Sequence, residues 1–162
     1  MGSEHPYCDR LQNLMITLYF VVWGVDSFIL HYSTLVVGLN HLLLRMALSA
    51  IAMTMGGYLV GKSHKMIFDV HGEHSKFIDC GVYSLVRHPM YLGTLICCFA
   101  LFLAIPSLLS LAVLVPFFVI YDKMATYEEN ELTNILGEEY VTYKKRVPKW
   151  FPRLISIILQ WT

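Results

Sequence analysis

The sequence predicts an all-α integral membrane protein of about four transmembrane helices. The last two form a tight hairpin, and a cytosolic helical cap and strap follow at the C-terminal end. Three observations predict it. Of 162 residues, 56% are hydrophobic and only 15% charged, whereas soluble domains carry roughly a quarter charged residues. The apolar residues gather in blocks of membrane-crossing length. The basic residues gather between those blocks, on one side.

Residues 14–30 are apolar apart from Thr17, Asp26 and Ser27. At about 1.5 Å per residue, roughly 20 residues cross a ~30 Å core, so a first span is predicted over 11–31. It lacks a basic n-region and a cleavage site, which predicts a retained span. The start Met-Gly-Ser-Glu carries no myristoylation signal. A turn through Gly38, Leu39 and Asn40 leads to a second span over 41–61, and a polar loop over 64–86 follows. Residues 91–121 contain no charge and are broken by Pro106-Ser107, which predicts a hairpin of spans 89–105 and 107–127. Pro89 suits the first turn of the third helix, where its missing N–H costs nothing. The fourth helix is predicted to continue past 127 with Leu132, Ile135 and Leu136 on one face, ending at Gly137. Residues 138–146 read as a short surface helix, and Pro148 with Pro152 as an extended strap. The apolar tail 154–159 is too short to span and suits the interface. One domain covers residues 1–162.

The net charge is zero, which argues against a nucleic-acid partner. With four crossings, every Lys and Arg except Arg45 falls on one side, together with both termini and the middle loop. The positive-inside rule places that side in the cytosol. Three crossings would split the basic residues between sides. Cys8, Cys80, Cys97 and Cys98 form no CxxC pair, so reduced thiols are predicted. His64, His71 and His74 lack a carboxylate or cysteine at firm ligand spacing, and no metal is expected. Asp26 and Arg45 lie at similar depth in the first two spans, which predicts a buried ion pair joining them.

Two polar clusters meet at the cytosolic mouth of the predicted hairpin. One is residues 81–93, where the third helix enters. The other is Glu128-Glu129, where the fourth returns. A helix N-terminus favours anions, and Arg87 with His88 strengthens that field. A carboxylate pair opposite suits an ammonium group or ribose hydroxyls. Taken singly, each group has a plainer role: Arg87 as an interfacial anchor, His88 as a cap, the Glu pair as a solvated helix end, Tyr83 and Tyr91 as interfacial aromatics.

The compound pattern resembles the membrane methyltransferases related to isoprenylcysteine carboxyl methyltransferase and the phospholipid N-methyltransferases. It runs G-V-Y-x-x-x-R-H-P-M-Y-x-G over 81–93, then E-E-x-x-L-x-x-x-L-G-E-E-Y-x-x-Y-K-K-R-V-P over 128–148. The resemblance implies S-adenosylmethionine as methyl donor in a cytosolic region spanning 64–91 and 122–153. Ser75, Lys76, Phe77, Ile78, Tyr83, His88, Pro89, Met90 and Tyr91 would line the cofactor site, and Glu128 would contact it. It further implies a strap closing over the cofactor and a lipid-like acceptor entering from the bilayer. Those carboxyl methyltransferases carry an arginine one turn before the Glu pair; here Met124 stands there, with Lys123 on a different helix face. The departure points away from carboxyl methylation and leaves an amine, thiol or other lipid-borne nucleophile open. Methyl transfer needs alignment and exclusion of water more than a strong acid; Glu129 and Arg87 are candidate catalytic groups, with the base unassigned. Two other functions share parts of the pattern: an NADPH-dependent membrane reductase related to the sterol reductases, which carry a similar Arg-His-Pro-x-Tyr element, and a non-catalytic scaffold.

Overall fold

Long apolar runs propagate as helix even through single glycines and Pro116, and among the described residues five α-helices result. The computed structural model describes residues 6–35, 41–70 and 78–152. Its helices are α1 (Pro6–Val25), α2 (Leu42–Val70), α3 (Pro89–Ala104), α4 (Leu108–Leu136) and α5 (Glu138–Arg146). The turn at 38–40, residues 71–77 and the tail 154–159 lie outside the described residues. Among the described residues there is no strand, only a single antiparallel bridge between Thr34 and Ser107.

Among the described residues, three segments have the length and apolarity to cross a membrane: Arg10–Leu30, Leu42–Ile67 and Leu108–Leu136. Helix α3 is equally apolar but has 16 residues, about 24 Å of rise, short of a ~30 Å core. The sequence predicted four crossings; among the described residues three helices carry the length for one. Helix α2 also runs past the residue-64 boundary predicted for the polar loop. Nothing between Lys62 and Val70 breaks a helix, and Ser63 returns its hydroxyl to the Leu59 carbonyl at 2.6 Å.

The packing order explains a second difference. Helix α2 packs on α3, α3 on α4, and α4 on α1, so α1 and α2 flank the hairpin. The predicted Asp26–Arg45 ion pair does not form, because the two helices do not share that seam and each charge is satisfied where it stands. Helix α1 ends in a widened π turn, Asp26–Leu30, closed by His31 at φ 50°. The Asp26 carboxylate accepts from the backbone N–H of Ser33 at 3.0 Å and its hydroxyl at 2.6 Å. The same segment is tied to the hairpin turn by Leu35 N–H to the Pro106 carbonyl at 2.8 Å and Leu108 N–H to the Ser33 carbonyl at 3.2 Å. Arg45 instead donates to the carbonyls of Leu103 at 3.3 Å and Ala104 at 2.6 Å, the exposed negative end of α3.

The α2–α3 seam depends on two glycines. A Cβ on Gly56 would lie 2.7 Å from the Gly93 carbonyl oxygen, and one on Gly93 would lie 2.7 Å from that of Gly56. Small residues let membrane helices approach to backbone contact. At the far end of α2, Gly81 at φ 59° brings the 3₁₀ turn Gly81–Ser84 against Met66. Helix α1 also reaches α3, where Tyr19 donates to the Cys98 carbonyl at 2.6 Å and Trp23 to that of Ile105 at 3.2 Å. Met15, Tyr19, Tyr91, Phe117, Tyr121, Met124 and Trp150 form one buried cluster.

Candidate functional site

Where α3 begins, Pro89 occupies the first helical position and His88 is the preceding residue, at φ −124° and ψ 63°. Helix α4 brings Glu128 and Glu129 back to that point, about 20 residues after its start at Leu108. The imidazole of His88 sits between the two carboxylates, its Nε2 3.0 Å from Glu129 Oε1 and its Nδ1 3.6 Å from Glu128 Oε2. Neighbouring helical side chains diverge by about 100°, which lets adjacent glutamates reach two edges of one ring.

The two glutamates differ sharply. Glu129 is buried, 8% exposed at its side chain, and meets three basic residues. Besides His88, Arg87 Nε lies 3.1 Å from Oε1 and Lys144 Nζ 3.9 Å from Oε2. The Arg87 Nε contact lacks hydrogen-bond alignment and acts through charge. Glu128 is 36% exposed at its side chain and accepts a hydrogen bond from the Tyr91 hydroxyl. Tyr91 stacks on His88 with ring centroids 5.8 Å apart, and Trp150 approaches the same imidazole at 6.0 Å.

Helix α5 and the strap close the cluster from one side. Gly137, at φ 58°, turns the chain between α4 and α5. Tyr140, Tyr143 and Val147 pack against Leu132 and Leu136, and burial pushes both phenols above their ordinary range. Tyr143 donates to the Tyr83 carbonyl at 2.7 Å. Arg87 donates its backbone N–H to the Pro148 carbonyl at 3.0 Å and Nη1 to the Lys144 carbonyl at 3.3 Å. Farther along, Lys149 reaches Asp122 Oδ1 at 2.6 Å and Thr126 Oγ1 at 2.7 Å, and Trp150 Nε1 donates to the same Asp122 oxygen at 2.8 Å.

Of the residues singled out in the sequence, Arg87, His88, Tyr91, Glu128 and Glu129 converge on one cluster. Pro89 is buried in the first turn of α3, Met90 packs on the central core, and Tyr83 and Ile78 are half-buried. Ser75, Lys76 and Phe77 lie outside the described residues, as do His71 and His74. Met124 is buried among Tyr91, Tyr121 and Trp150, whereas Lys123 is exposed. Sequence reasoning missed Asp122, Lys144, Lys149 and Trp150. A helical-spacing signal existed for the first: Asp122, Thr126 and Glu129 recur at i, i+4 and i+7 and so share one face of α4.

Residues 33–139 match the family model for phospholipid methyltransferases. The chain is 39% identical over 83 residues to protein-S-isoprenylcysteine O-methyltransferase B of Arabidopsis thaliana, covering 49% of this chain and 41% of that protein. It is 27% identical over 146 residues to protein-S-isoprenylcysteine O-methyltransferase of Schizosaccharomyces pombe, covering 90% of this chain and 56% of that protein. The chain thus spans about half the length of the curated relatives it matches.

Proposed function

The chain belongs to the phospholipid methyltransferase family, and from that premise we propose that it transfers a methyl group from S-adenosylmethionine to a lipid-borne acceptor at the membrane surface. The observation that carries the reading is the asymmetry of the glutamate pair: Glu129 is held by His88, Arg87 and Lys144, while Glu128 keeps a solvent-facing carboxylate. The residues fit the donor. A carboxylate flanked by a phenol and an imidazole suits ribose hydroxyls and an amino-acid ammonium group. Arg87 and the start of α3 supply positive potential for a carboxylate. When bound, S-adenosylmethionine supplies an electrophilic methyl group.

In this reading Glu128 binds and Tyr91 with His88 orients it. Glu129 and Arg87 hold the imidazole in place. The strap residues Pro148 and Trp150 keep water from the polar cluster, which raises the weight of every charge interaction there. The acceptor group is an amine or a thiol rather than a carboxylate. Support comes from Met124, a buried apolar side chain where the resembling carboxyl methyltransferases carry arginine. The charged mouth sits in the cytosol, where the donor is found, with both termini on that side. We infer that α3 completes a fourth crossing together with its flanking turns.

Titration of purified protein with S-adenosylhomocysteine tests the donor site, with micromolar binding expected and none for NADPH; the reverse outcome would make the chain a reductase. Incubation with methyl-labelled donor and native lipid extract tests the acceptor. An N- or S-methyl product survives mild alkali, whereas label released as methanol would reveal an ester and overturn the amine or thiol acceptor.

A further inference from the structure

An open cleft of about 410 Å³ lies between α2 and the Gly81–Ser84 turn. Tyr58, Lys62, Lys65 and Met66 border it from α2, and Val82 and Leu85 from the turn. The volume falls within the roughly 300–1,000 Å³ of small-molecule sites. None of these residues enters the polar cluster at the start of α3, and the methyl-transfer reading uses none of them.

Depth and chemistry both bear on what the cleft takes. About 20 residues from Leu42 carry α2 across a bilayer core, which puts Lys62 and Lys65 at headgroup level and Tyr58 one turn below. Both lysines are exposed, and among the described residues neither pairs with a carboxylate; the Lys62 ammonium stands 5.9 Å from the Tyr58 ring centroid. Two ammonium groups one turn apart thus border a space whose other walls include Met66, Val82 and Leu85. Ile51, Met55, Tyr58, Lys62 and Lys65 recur at three- and four-residue spacing and are all exposed, so an apolar stripe on α2 runs from the lysines down into bilayer depth. A cationic rim at the surface with an apolar track beneath it matches an amphiphile with an anionic head.

We propose that this cleft binds the phosphate headgroup of an anionic membrane lipid, with Lys62 and Lys65 on the phosphate and an acyl chain along Tyr58, Met55 and Ile51. The site is separate from methyl transfer and gives the protein a preference for anionic bilayers.

The full chain, purified in neutral detergent, is offered phosphatidic acid and phosphatidylcholine in equal amounts, and retained lipid is counted by native mass spectrometry. Phosphatidic acid should dominate. The variant K62Q/K65Q should lose that preference by roughly 25-fold, about one fivefold step for each interfacial lysine. Its thermal midpoint should match the wild type, since both side chains are exposed. Equal phosphatidic acid retention by wild type and K62Q/K65Q would overturn the site. Inorganic phosphate binding that depends on both lysines, with no preference among lipids, would overturn the lipid assignment in favour of a soluble phosphate.

Discussion

The two ends of the α3–α4 hairpin both hold charged side chains, yet they satisfy them in opposite ways. At the Pro106-Ser107 end, the Asp26 carboxylate accepts hydrogen bonds from Ser33, seven residues away, and Arg45 donates to carbonyls at the end of α3. Each charge there is quenched by backbone and hydroxyl dipoles at a chain turn. At the other end, Arg87, His88, Glu128, Glu129 and Lys144 come from three separate segments and satisfy one another. A charge buried at a turn therefore marks a joint. A charge network with one member left half open is, on the proposed reading, the donor site.

Breaking the network at its centre should have the largest effect. Glu129→Gln removes the shared negative partner of Arg87 and His88 and leaves a buried guanidinium uncompensated, which costs about 3–5 kcal/mol when a buried pair is broken. Chemical or thermal unfolding of the detergent-solubilised variant should show that loss, together with weakened S-adenosylhomocysteine binding. A variant as stable as the wild type would show that the pairs around Glu129 contribute nothing.

The neighbouring carboxylate should separate affinity from stability. Glu128 is half open, so Glu128→Ala should leave the unfolding midpoint nearly unchanged. Binding of S-adenosylhomocysteine should fall by about 1–3 kcal/mol, or roughly 5- to 150-fold, with the loss of a charge-assisted hydrogen bond. Titration of both glutamate variants against the same ligand tests the division of labour directly. Equal damage to stability from the two would erase the contrast.

The opposite end should behave the other way round. Arg45→Gln gives up charged donors to two carbonyls at the end of α3, a loss of about 1–2 kcal/mol in stability. Affinity for S-adenosylhomocysteine should stay within twofold, because Arg45 belongs to the other end of the hairpin. A large loss of affinity with an unchanged midpoint would mean that this end too is part of the binding machinery.

The sequence made one of these ends far more legible than the other. Local signals gave the helix boundaries at the α4–α5 joint, because Gly137 punctuates them and no other residue type adopts its backbone at so little cost. The meeting of Arg87 and His88 with Glu128 and Glu129 followed from hairpin geometry alone. Depth was not enough for Asp26 and Arg45: equal depth says nothing about which helices are neighbours, and here α1 packs on α4 and reaches α3 rather than α2. The strap contacts were hidden for another reason. Asp122 and Lys149 are 27 residues apart, and no periodicity relates a helix face to an extended segment. The length of α2 past residue 61 was hidden because polar residues without a breaker are as compatible with helix as with loop.

The smallest effect should come from the rim of the network. Arg146 and Asp79 approach to 2.7 Å, closer than any of the pairs around Glu129, yet their side chains are 63% and 49% exposed. Distance alone would rank this bridge above those pairs. Exposure reverses the ranking, since water screens the attraction and two long side chains give up rotamer freedom to meet. Arg146→Gln should therefore change stability by about 0.2–1 kcal/mol at low salt and by less as salt shortens the screening length. Unfolding midpoints at low and high ionic strength check this, and a loss comparable to that of Glu129→Gln would show that burial is not what separates the two kinds of charge pair.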